Sequence, residues 1–292
     1  MAVIAHAKKE LDGGLEKLRT ALFDEGITDP IWYEVPKSKK APKKVRKAVE
    51  KGAELVLVWG GDGTVQRCVQ ELAGSGVALG ILPAGTANLL ASSIEIPVDL
   101  DGALKVALHG ERRVLDVGVI NGERFTVMAG AGFDAWMVAD ADRGAKDRFG
   151  RLAYIWTGLK ATKGAAFRAR IEVDGTTWFD GASSCVLIGN LGTVTGGLVV
   201  FDQAQPDDGR LEVGVVTADG PWSWARVLAR VAVRQTRRSS FARTTGGRKI
   251  DIEFGRKVRY ELDGGDRKPT RRLELRIEPR AIEICVPPGQ ST

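Results

Sequence analysis

Two glycine-rich strings contain the residue types best suited to chemistry. The first, Gly60-Gly61-Asp62-Gly63-Thr64, follows a buried-strand pattern at residues 54–59 and leads into a helical pattern at 64–73. Glycines let the backbone approach phosphate oxygens closely, and N–H groups at a helix start favour an anion. Thr64 could cap the helix or bond a phosphate, and Asp62 could hold Mg²⁺ or accept a proton. The string predicts a phosphate-binding loop; the alternative is a tight glycine-rich turn.

The second string is GILPAGTANL at residues 80–89, again a strand end followed by Gly85-Thr86 and a helix start. Two such loops at adjacent strand ends would form one nucleotide cleft at the carboxyl edge of a sheet. A simple strand-to-helix turn is the alternative. Walker A, GxGxxG and protein-kinase signatures do not occur, nor does a GxSxG elbow. His6 and His109 are the only histidines, which disfavours a His-based dyad or a zinc site.

The strings lie in the first of two differently patterned halves. Up to about residue 118, short apolar runs alternate with helical spacing, which predicts a parallel α/β sheet. Beyond residue 119, many short alternating runs separated by Gly and Asp predict a β-sandwich. Seven strands are predicted in that half, at 168–173, 182–188, 211–216, 249–254, 257–262, 273–277 and 281–286. Two helical patterns, at about 147–160 and 222–238, interrupt them.

The composition is that of a globular intracellular protein. The chain has 292 residues, is 43% hydrophobic and carries a net charge of +6, which suits an anionic partner. The three cysteines Cys68, Cys185 and Cys285 show no metal-ligand spacing, and we interpret them as reduced core residues. No signal peptide or membrane-spanning run is found. The expected location is the cytoplasm, with peripheral membrane association as a further possibility.

A series of motifs across nearly the whole chain resembles the diacylglycerol kinase catalytic-domain family. That family includes bacterial lipid kinases and sphingosine kinases and is more distantly related to NAD kinases. The matching motifs are GGDGT at 60–64, GILPAGTANLLA at 80–91, DVG at 116–118, AGAGFDA at 129–135, GRLAY at 150–154, GG at 196–197, PDDGRLEV at 206–213 and LDGGD at 262–266. NAD kinases share GGDGT, but the series together favours the lipid-kinase branch.

The resemblance implies an ATP site between a Rossmann-like α/β domain at 1–118 and an acceptor-binding β-sandwich at 119–292. Asp263 matches the aspartate of the family's DGE motif and would be the general base. Asp62 would hold Mg²⁺ or orient the γ-phosphate. The residues expected to contact ATP and Mg²⁺ are Gly60, Gly61, Asp62, Gly63, Thr64, Gly85, Thr86 and Asn88.

The resemblance also implies a structural Mg²⁺ at the DDG motif. Asp207, Asp208 and the carbonyl of Arg210 would be its ligands. An ordinary Asp-Asp-Gly turn before the strand at 211–216 is equally compatible with the sequence.

Three positions depart from the family pattern. Residues 5–9 (AHAKK) replace an NPxSG-like loop after the first strand, and Gln66 stands where an asparagine is usual. Gly265 replaces the glutamate of DGE, and Asp266, which follows it, is a candidate substitute. This last difference concerns the acid–base chemistry and the acceptor class.

Two basic segments could meet anionic partners. Seven lysines and arginines lie between Lys37 and Lys47, either as a solvated face or in contact with ATP phosphates or lipid headgroups. Arg226, Arg230, Arg234 and Arg238 form a stripe that could cover the sandwich or lie on an anionic membrane. The apolar positions of the 147–160 pattern indicate core or acceptor-pocket lining.

The function predicted from these patterns is ATP-dependent phosphorylation of a lipid hydroxyl, with diacylglycerol as the first candidate. A sphingoid or other lipid acceptor, an NAD acceptor and a non-catalytic nucleotide-binding protein remain alternatives. Nucleic acid is not expected as a partner, because the basic run lacks interleaved aromatic residues. The sequence leaves homodimerisation open.

Overall fold

The computed structural model describes residues 1–132, 166–194, 198–218, 222–223, 226 and 242–289. The elements of the first half alternate, as the pattern predicted. They are β1 (Ala2–His6), α1 (Gly14–Asp24), β2 (Ile31–Val35), a 3₁₀ turn (Ser38–Lys40), α2 (Ala41–Glu50), β3 (Leu55–Gly60), α3 (Asp62–Leu72), β4 (Ala78–Pro83), α4 (Leu89–Ser93) and α5 (Leu100–His109).

The described part of the second half consists almost entirely of strands. They are β5 (Glu111–Ile120), β6 (Glu123–Phe125), β7 (Met128–Ala131), β8 (Phe167–Val173), β9 (Thr176–Ser183), β10 (Cys185–Gly189), β11 (Thr193–Val194), β12 (Leu198–Val199), β13 (Leu211–Val216), β14 (Ala242–Gly247), β15 (Lys249–Leu262) and β16 (Gly265–Val286). The predicted fold class, an α/β half followed by a β-sandwich-like half, is confirmed.

Strands β2, β1, β3 and β4 form a parallel sheet in that order. Within it Ala5 pairs with Trp59, and Trp59 pairs with Leu82, so these strands end at the same level. Trp59 is fully buried and its Nε1 donates to the Lys9 carbonyl oxygen at 2.9 Å. The loops that follow the strands therefore emerge side by side at the carboxyl edge of the sheet, where ligands of open α/β sheets bind.

The last strand joins the two halves into one sheet. β16 pairs antiparallel with β15 and β5 and meets β4 in parallel at Ile284 and Leu79. Ile282, Ile284 and Val286 pack in the same buried cluster as β1, β3 and β4. A second cluster lies between the strands of the other half. The C-terminal end of the chain therefore helps to build the core of the nucleotide-binding half.

Three strand predictions need correction. The predicted strands 249–254 and 257–262 are parts of one strand, β15, whose pairing shifts register between Glu253 and Val258. Likewise, 273–277 and 281–286 both belong to β16. The predicted strand 182–188 is interrupted at Ser184, where β9 ends and β10 begins. In the first two cases charged or glycine residues at a bulge resemble turn signals, because a bulge also breaks the alternation.

The three cysteines are free and buried, as predicted. Burial raises the pKa of each thiol, so the thiolate is disfavoured. Among the helices of the described residues, none is long and apolar enough to cross a membrane.

Candidate active site

The two glycine-rich strings contact each other at the carboxyl edge of the parallel sheet. The backbone N–H of Ala84 donates to the Gly60 carbonyl oxygen at 3.0 Å. Gly61 and Gly85 pack backbone against backbone, so closely that a Cβ on Gly85 would lie 2.5 Å from the Gly61 Cα. The two loops therefore lie against each other, as expected for loops at adjacent strand ends, and the close approach explains why glycine is needed at both positions.

Asn88 organises the second loop. Its side-chain oxygen accepts the Gly85 N–H at 2.9 Å, and its amide nitrogen donates to the carbonyl oxygens of Pro83 and Gly85 at 3.2 and 3.1 Å. The residue is buried and has a positive φ of 48°, a conformation that asparagine tolerates. Its described contacts are therefore to the loop itself, while Thr86 beside it is exposed.

Helix α3 begins at Asp62, two residues earlier than predicted, with Gly61 as its N-cap. Thr64 consequently does not cap the helix, and that expectation was wrong. Instead the Thr64 hydroxyl lies 2.9 Å from the hydroxyl of Ser38, a residue that the sequence analysis did not single out. Of the first backbone N–H groups of α3, that of Thr64 donates to the Gly61 carbonyl oxygen at 2.8 Å, whereas that of Gly63 has no partner among the described residues. An open N–H at a helix start favours a bound anion.

The Ser38 contact brings part of the basic run to the phosphate loop. Lys37, Lys39 and Lys40 flank Ser38 and are exposed. No ion pair formed by the described residues includes any of the three. Further along the run, Arg46 pairs with Glu71 and Lys44 lies over the Tyr33 ring. The loop after β2 therefore carries free positive charge beside the start of α3.

Two glycines of the site allow a matched test. A Cβ on Gly63 would meet nothing closer than 4.0 Å, whereas a Cβ on Gly85 would collide with Gly61 and Asn88. Gly63→Ala should therefore keep the thermal stability but weaken ATP binding by about tenfold or more, because the methyl group displaces a phosphate from the backbone N–H groups. Gly85→Ala should lower the unfolding free energy by about 1–3 kcal/mol. Calorimetric titration would measure the ATP affinity of Gly63→Ala, and unfolding experiments would measure the stability of both variants. Unchanged ATP affinity in Gly63→Ala would contradict the phosphate-loop prediction.

Asp62 belongs to the first loop, and its carboxylate reaches the second. Its carboxylate accepts a hydrogen bond from the backbone N–H of Leu89, at the start of α4. Burial raises the pKa of the Asp62 carboxyl to about 6, and the negative charge of Asp263 contributes in the same direction, against the lowering effect of the Leu89 N–H. A half-buried carboxyl with a pKa near neutrality is suited to accepting a proton.

Asp263 reaches the same site from the other half of the chain. It occupies the two-residue turn Asp263-Gly264 between β15 and β16, with φ angles of 43° and 74°. The turn approaches the second loop, since a Cβ on Gly264 would lie 3.6 Å from Leu89. The structure thus brings together Asp62 and Asp263, which are far apart in the sequence.

The carboxylate of Asp263 is already fully engaged. One oxygen accepts the N–H and hydroxyl of Thr126 at 2.8 and 3.1 Å, and the other accepts the N–H groups of Val127 and Met128 at 2.9 and 3.1 Å. Asp263 is 5% exposed, and burial raises the pKa of its carboxyl. A carboxylate has about four acceptor positions, so these bonds use its capacity to hold the backbone of residues 126–128.

Gln66, the departure in helix α3, joins the two halves. Its side-chain nitrogen donates to the Arg124 carbonyl oxygen at 2.8 Å, and the Arg124 N–H donates to the Gln70 side chain at 2.8 Å. The Arg124 guanidinium continues to Glu278 on β16 at 2.7 Å. Helix α3, which begins with the phosphate loop, is therefore fastened to β6 and β16.

The acidic pair of the DDG motif makes its described contacts outside these two loops. Asp207 forms a 2.8 Å ion pair with Arg113, and Asp208 accepts the backbone N–H of Arg210 at 2.9 Å, as in an Asx turn. Burial raises the pKa of Asp208. Among the described residues no group of three His, Cys, Asp or Glu side chains is placed to hold a metal ion. With Arg113 on Asp207, these residues as placed do not fit a cation, and the metal site there stays a prediction.

Asp116, in the DVG motif, explains how this turn is held. It is fully buried, and its two carboxylate oxygens accept the backbone N–H groups of Gly209 at 2.6 Å and Arg280 at 2.7 Å. Its own N–H donates to the Pro206 carbonyl oxygen. The motif was visible in the sequence, but its partners are about 90 and 160 residues away and no spacing reveals them.

Asp116→Asn should lower the unfolding free energy by about 2–3 kcal/mol, because the amide NH₂ would face a backbone N–H and leave it without an acceptor. Asp207→Asn is the control, since its ion pair with Arg113 is partly exposed and should contribute less than about 1 kcal/mol. Chemical denaturation of both variants would measure the difference. Equal effects would mean that the buried hydrogen bonds of Asp116 are not what holds the turn.

Parts of other predicted motifs fall on residues that are not described. These are the helical patterns at 147–160 and, apart from residues 222, 223 and 226, at 222–238, with residues 133–135 of AGAGFDA, all of GRLAY and the GG pair at 196–197. Trp222, at the start of the arginine stripe, is 82% exposed.

Comparison with known proteins matches both halves of the chain. Residues 6–120 match the diacylglycerol kinase catalytic domain, and residues 127–286 match the YegS C-terminal NAD kinase beta sandwich-like domain. A Synechocystis protein of uncharacterized function is 34% identical over 190 residues, covering 62% of this chain and 43% of that protein. A Pseudomonas aeruginosa protein described as a probable lipid kinase YegS-like is 30% identical over 252 residues, covering 85% of this chain and 82% of its own length.

A solved structure of a putative diacylglycerol kinase from Bacillus anthracis has the same fold, with a TM-score of 0.79 at 21% identity over 98% of this chain and 96% of that chain. The two domain matches, in the order in which the phosphate loop and the Asp263 turn occur, agree with the family inferred from the motifs. The chain belongs to the diacylglycerol kinase catalytic-domain family, with a YegS-type β-sandwich-like C-terminal domain.

Proposed function

We propose that this protein transfers the γ-phosphate of ATP to a lipid hydroxyl, with diacylglycerol as the first candidate and phosphatidic acid as its product. The observation that carries the proposal is the meeting of two glycine-rich loops around the Asp62 carboxyl, with the Asp263 turn of the second half beside it. A kinase needs both features, a phosphate cradle and a carboxylate beside the acceptor hydroxyl.

The phosphate cradle is the start of α3 together with the loops that touch it. The N–H of Gly63 at the start of α3 would bind a phosphate oxygen, and the unpaired Lys37, Lys39 and Lys40 would add positive charge. Ser38 would fix this basic loop in place through its hydrogen bond to Thr64. The parallel strands β2, β1, β3 and β4 keep these loops at one level.

Mg²⁺ is implied by family membership and would neutralise charge on the ATP phosphates. Protein sites for Mg²⁺ commonly use one or two carboxylates and leave the remaining positions to water and substrate phosphates. Asp62, at the start of α3 next to the proposed phosphate cradle, would face a Mg²⁺ held mainly by ATP phosphates and water, and would keep its capacity to accept a proton. The residues present therefore fit a metal that arrives with ATP, although no three-ligand cluster occurs among the described residues.

The geometry favours a different division of labour from the one that the resemblance implied. Asp263 holds the backbone of residues 126–128 with both carboxylate oxygens, which leaves it little capacity to accept a proton. Asp62 is less buried, and its pKa of about 6 places it as a carboxylate at neutral pH. We assign the general base to Asp62 and a positioning role to Asp263, whose charge also keeps the pKa of Asp62 high.

The lipid acceptor is supported by the kind of relatives that the chain has. The Pseudomonas aeruginosa relative is described as a probable lipid kinase, and the first domain match is to diacylglycerol kinases. The second domain match is described as NAD kinase-like, which keeps NAD as an alternative acceptor. Gly265 in place of the family's glutamate keeps the non-catalytic alternative, since the neighbouring Asp266 is exposed.

The test is transfer of labelled γ-phosphate from ATP with Mg²⁺ to diacylglycerol in mixed micelles, with NAD in a parallel reaction. Labelled phosphatidic acid that is absent with the Asp62→Asn variant and retained with Asp101→Asn would support the proposal; Asp101 is exposed and pairs with Lys17 on the surface. Labelled NADP would move the assignment to the neighbouring branch. If neither acceptor nor any other lipid hydroxyl were phosphorylated, the kinase proposal would be rejected in favour of a non-catalytic nucleotide-binding protein.

A further inference from the structure

The β15–β16 hairpin carries exposed cations that the proposed reaction does not use. Lys257 and Arg259 are exposed on either side of Val258, which is 4% exposed. Because side chains alternate along a strand, both point away from the core. Lys268 and Arg271 are exposed on the paired strand. We call these four residues the ribbon cations.

No residue that the structure describes supplies a counter-charge to the ribbon cations. Among the ion pairs and side-chain hydrogen bonds of the described residues, none involves any of the four, whereas neighbouring cations on the same hairpin are paired. Arg267 binds Glu123, and Arg272 binds Asp251 and Glu274. The hairpin thus separates its cations into a paired set and a free set. A cation without an ion pair can bind an anionic partner without first breaking an existing interaction.

The position of the hairpin connects these charges with the candidate active site. Its turn is Asp263-Gly264, beside the second glycine-rich loop. The ribbon cations are four to eight residues from Asp263 along the two strands. At about 3.3 Å per residue, that places them about 13–26 Å from the turn. A surface bound by the ribbon cations would therefore lie close to the Asp263-Gly264 turn, which is beside the second glycine-rich loop.

The chemistry of the ribbon favours lipid headgroups over nucleic acid. Proteins that bind single strands combine positive charge with exposed aromatic rings on which bases stack. The large exposed hydrophobic side chains of the described residues are Phe23, Val98 and Trp222, and none is on this hairpin. The two aromatic residues of the hairpin face the core of the second half: Phe254 belongs to its buried cluster and Tyr260 packs against it. The hairpin therefore offers positive charge without exposed aromatic rings, which suits the phosphate headgroups of an anionic lipid bilayer.

We propose that the ribbon cations dock the protein on an anionic lipid bilayer. Its role in bringing lipid to Asp62 rests on the proposed function, but the binding itself does not. Each Lys or Arg near an anionic bilayer strengthens binding by about fivefold, and salt screens the effect. The double variant Lys257→Glu/Arg259→Glu removes two attractions and adds two repulsions. It should therefore weaken partitioning to anionic vesicles by at least about 25-fold.

The experiment is co-sedimentation of the full chain, without ATP, with phosphatidylcholine vesicles that do or do not contain phosphatidylglycerol. The matched control is Lys43→Glu/Lys47→Glu, which makes the same change of charge at two exposed positions of α2. We expect wild type and the control to bind the anionic vesicles in a salt-sensitive manner and Lys257→Glu/Arg259→Glu to stay in solution. Thermal unfolding verifies that each variant is folded, and Lys268→Glu/Arg271→Glu is the second ribbon variant if the first is not.

Equal loss of binding in the ribbon and α2 variants would overturn the proposal, since net charge alone would then explain the affinity. So would full binding by both ribbon variants, or wild-type binding to an oligonucleotide but not to vesicles. The kinase proposal is tested separately with a water-soluble short-chain diacylglycerol, on which the ribbon variants should turn over normally. Vesicle binding as expected without any phosphoryl transfer would keep the docking surface and reject the kinase function.

Discussion

Replacing Asp62 by asparagine should abolish phosphoryl transfer and, at neutral pH, make the folded protein more stable. The activity should fall by about 10²–10⁴-fold, the contribution of a positioned general base. In the wild type, kcat/KM should rise with pH through about 6, as the Asp62 carboxyl loses its proton. The variant should lack this limb of the profile, which steady-state kinetics between pH 5 and 8 would show.

The gain in stability follows from proton linkage. The pKa of the Asp62 carboxyl is about 6 in the folded protein and has an ordinary value of 3.8. Between these values the folded state binds the proton more tightly than the unfolded state, so wild-type stability falls as the pH rises from about 4 to about 6. The asparagine side chain carries no charge and can still accept the Leu89 N–H, so the variant escapes this loss. We expect Asp62→Asn to be more stable by about 1–3 kcal/mol at pH 7 and equal to wild type near pH 4.

Asp101→Asn is the control for both measurements, because Asp101 is exposed and its single ion pair with Lys17 is on the surface. It should change neither the pH profile nor the unfolding free energy by more than about 1 kcal/mol. If the stability difference between Asp62→Asn and wild type did not vary with pH, the pKa of Asp62 would not be raised by folding. If Asp62→Asn retained its turnover, Asp62 would not be the general base and Asp263 would be the preferred candidate.

Asp263→Asn should have the opposite effect on stability. Asparagine also suits the left-handed turn, so the substitution keeps the hairpin and removes only the carboxylate. Its NH₂ group would face two of the donors at Thr126, Val127 and Met128 that now share the two oxygens. We expect a loss of about 2–4 kcal/mol in the unfolding free energy, because buried N–H groups lose their acceptor. Denaturant unfolding would measure it.

Asp174 provides the matched control for this variant. It occupies the equivalent first position of the two-residue turn Asp174-Gly175 between β8 and β9, with a φ of 49°. One of its oxygens accepts the N–H groups of Arg248 and Lys249, but the residue is exposed, so water can replace a lost acceptor. Asp174→Asn should therefore cost less than about 1 kcal/mol. If both variants lost the same stability, the turn geometry and not the buried carboxylate would be responsible.

The same comparison shows how far turn signals in the sequence reach. Asn121-Gly122, Asp174-Gly175 and Asp263-Gly264 all form two-residue hairpins with positive φ at both positions. Asn-Gly and Asp-Gly pairs favour this turn type on local grounds. Local sequence could not distinguish the exposed Asp174 from the buried Asp263, because burial depends on strands that arrive from elsewhere in the chain.

Much of the first half follows from short-range patterns alone. The alternation of apolar runs and helical spacing determines the parallel sheet, and the strand–glycine–helix order at residues 60–64 and 80–89 determines where phosphate can approach. Parallel strands must end at one edge, so the meeting of the two strings was predictable. Asp62 and the glycines beside it were identified from residue type and spacing, and the structure places them where the two strings meet.

The rest depended on contacts between residues distant in the sequence. Four donors on residues 126–128 determine what Asp263 can do, Ser38 reaches Thr64 from the loop after β2, and Asp116 holds two backbone N–H groups far along the chain. The closing of the sheet by β16 brings the last residues into the first core. Residue types and spacing therefore determined the elements and the kind of ligand. Only the tertiary structure decided that the Asp263 carboxyl accepts four hydrogen bonds while the Asp62 carboxyl is less buried, because the burial and hydrogen bonds of a carboxyl depend on what folding packs around it.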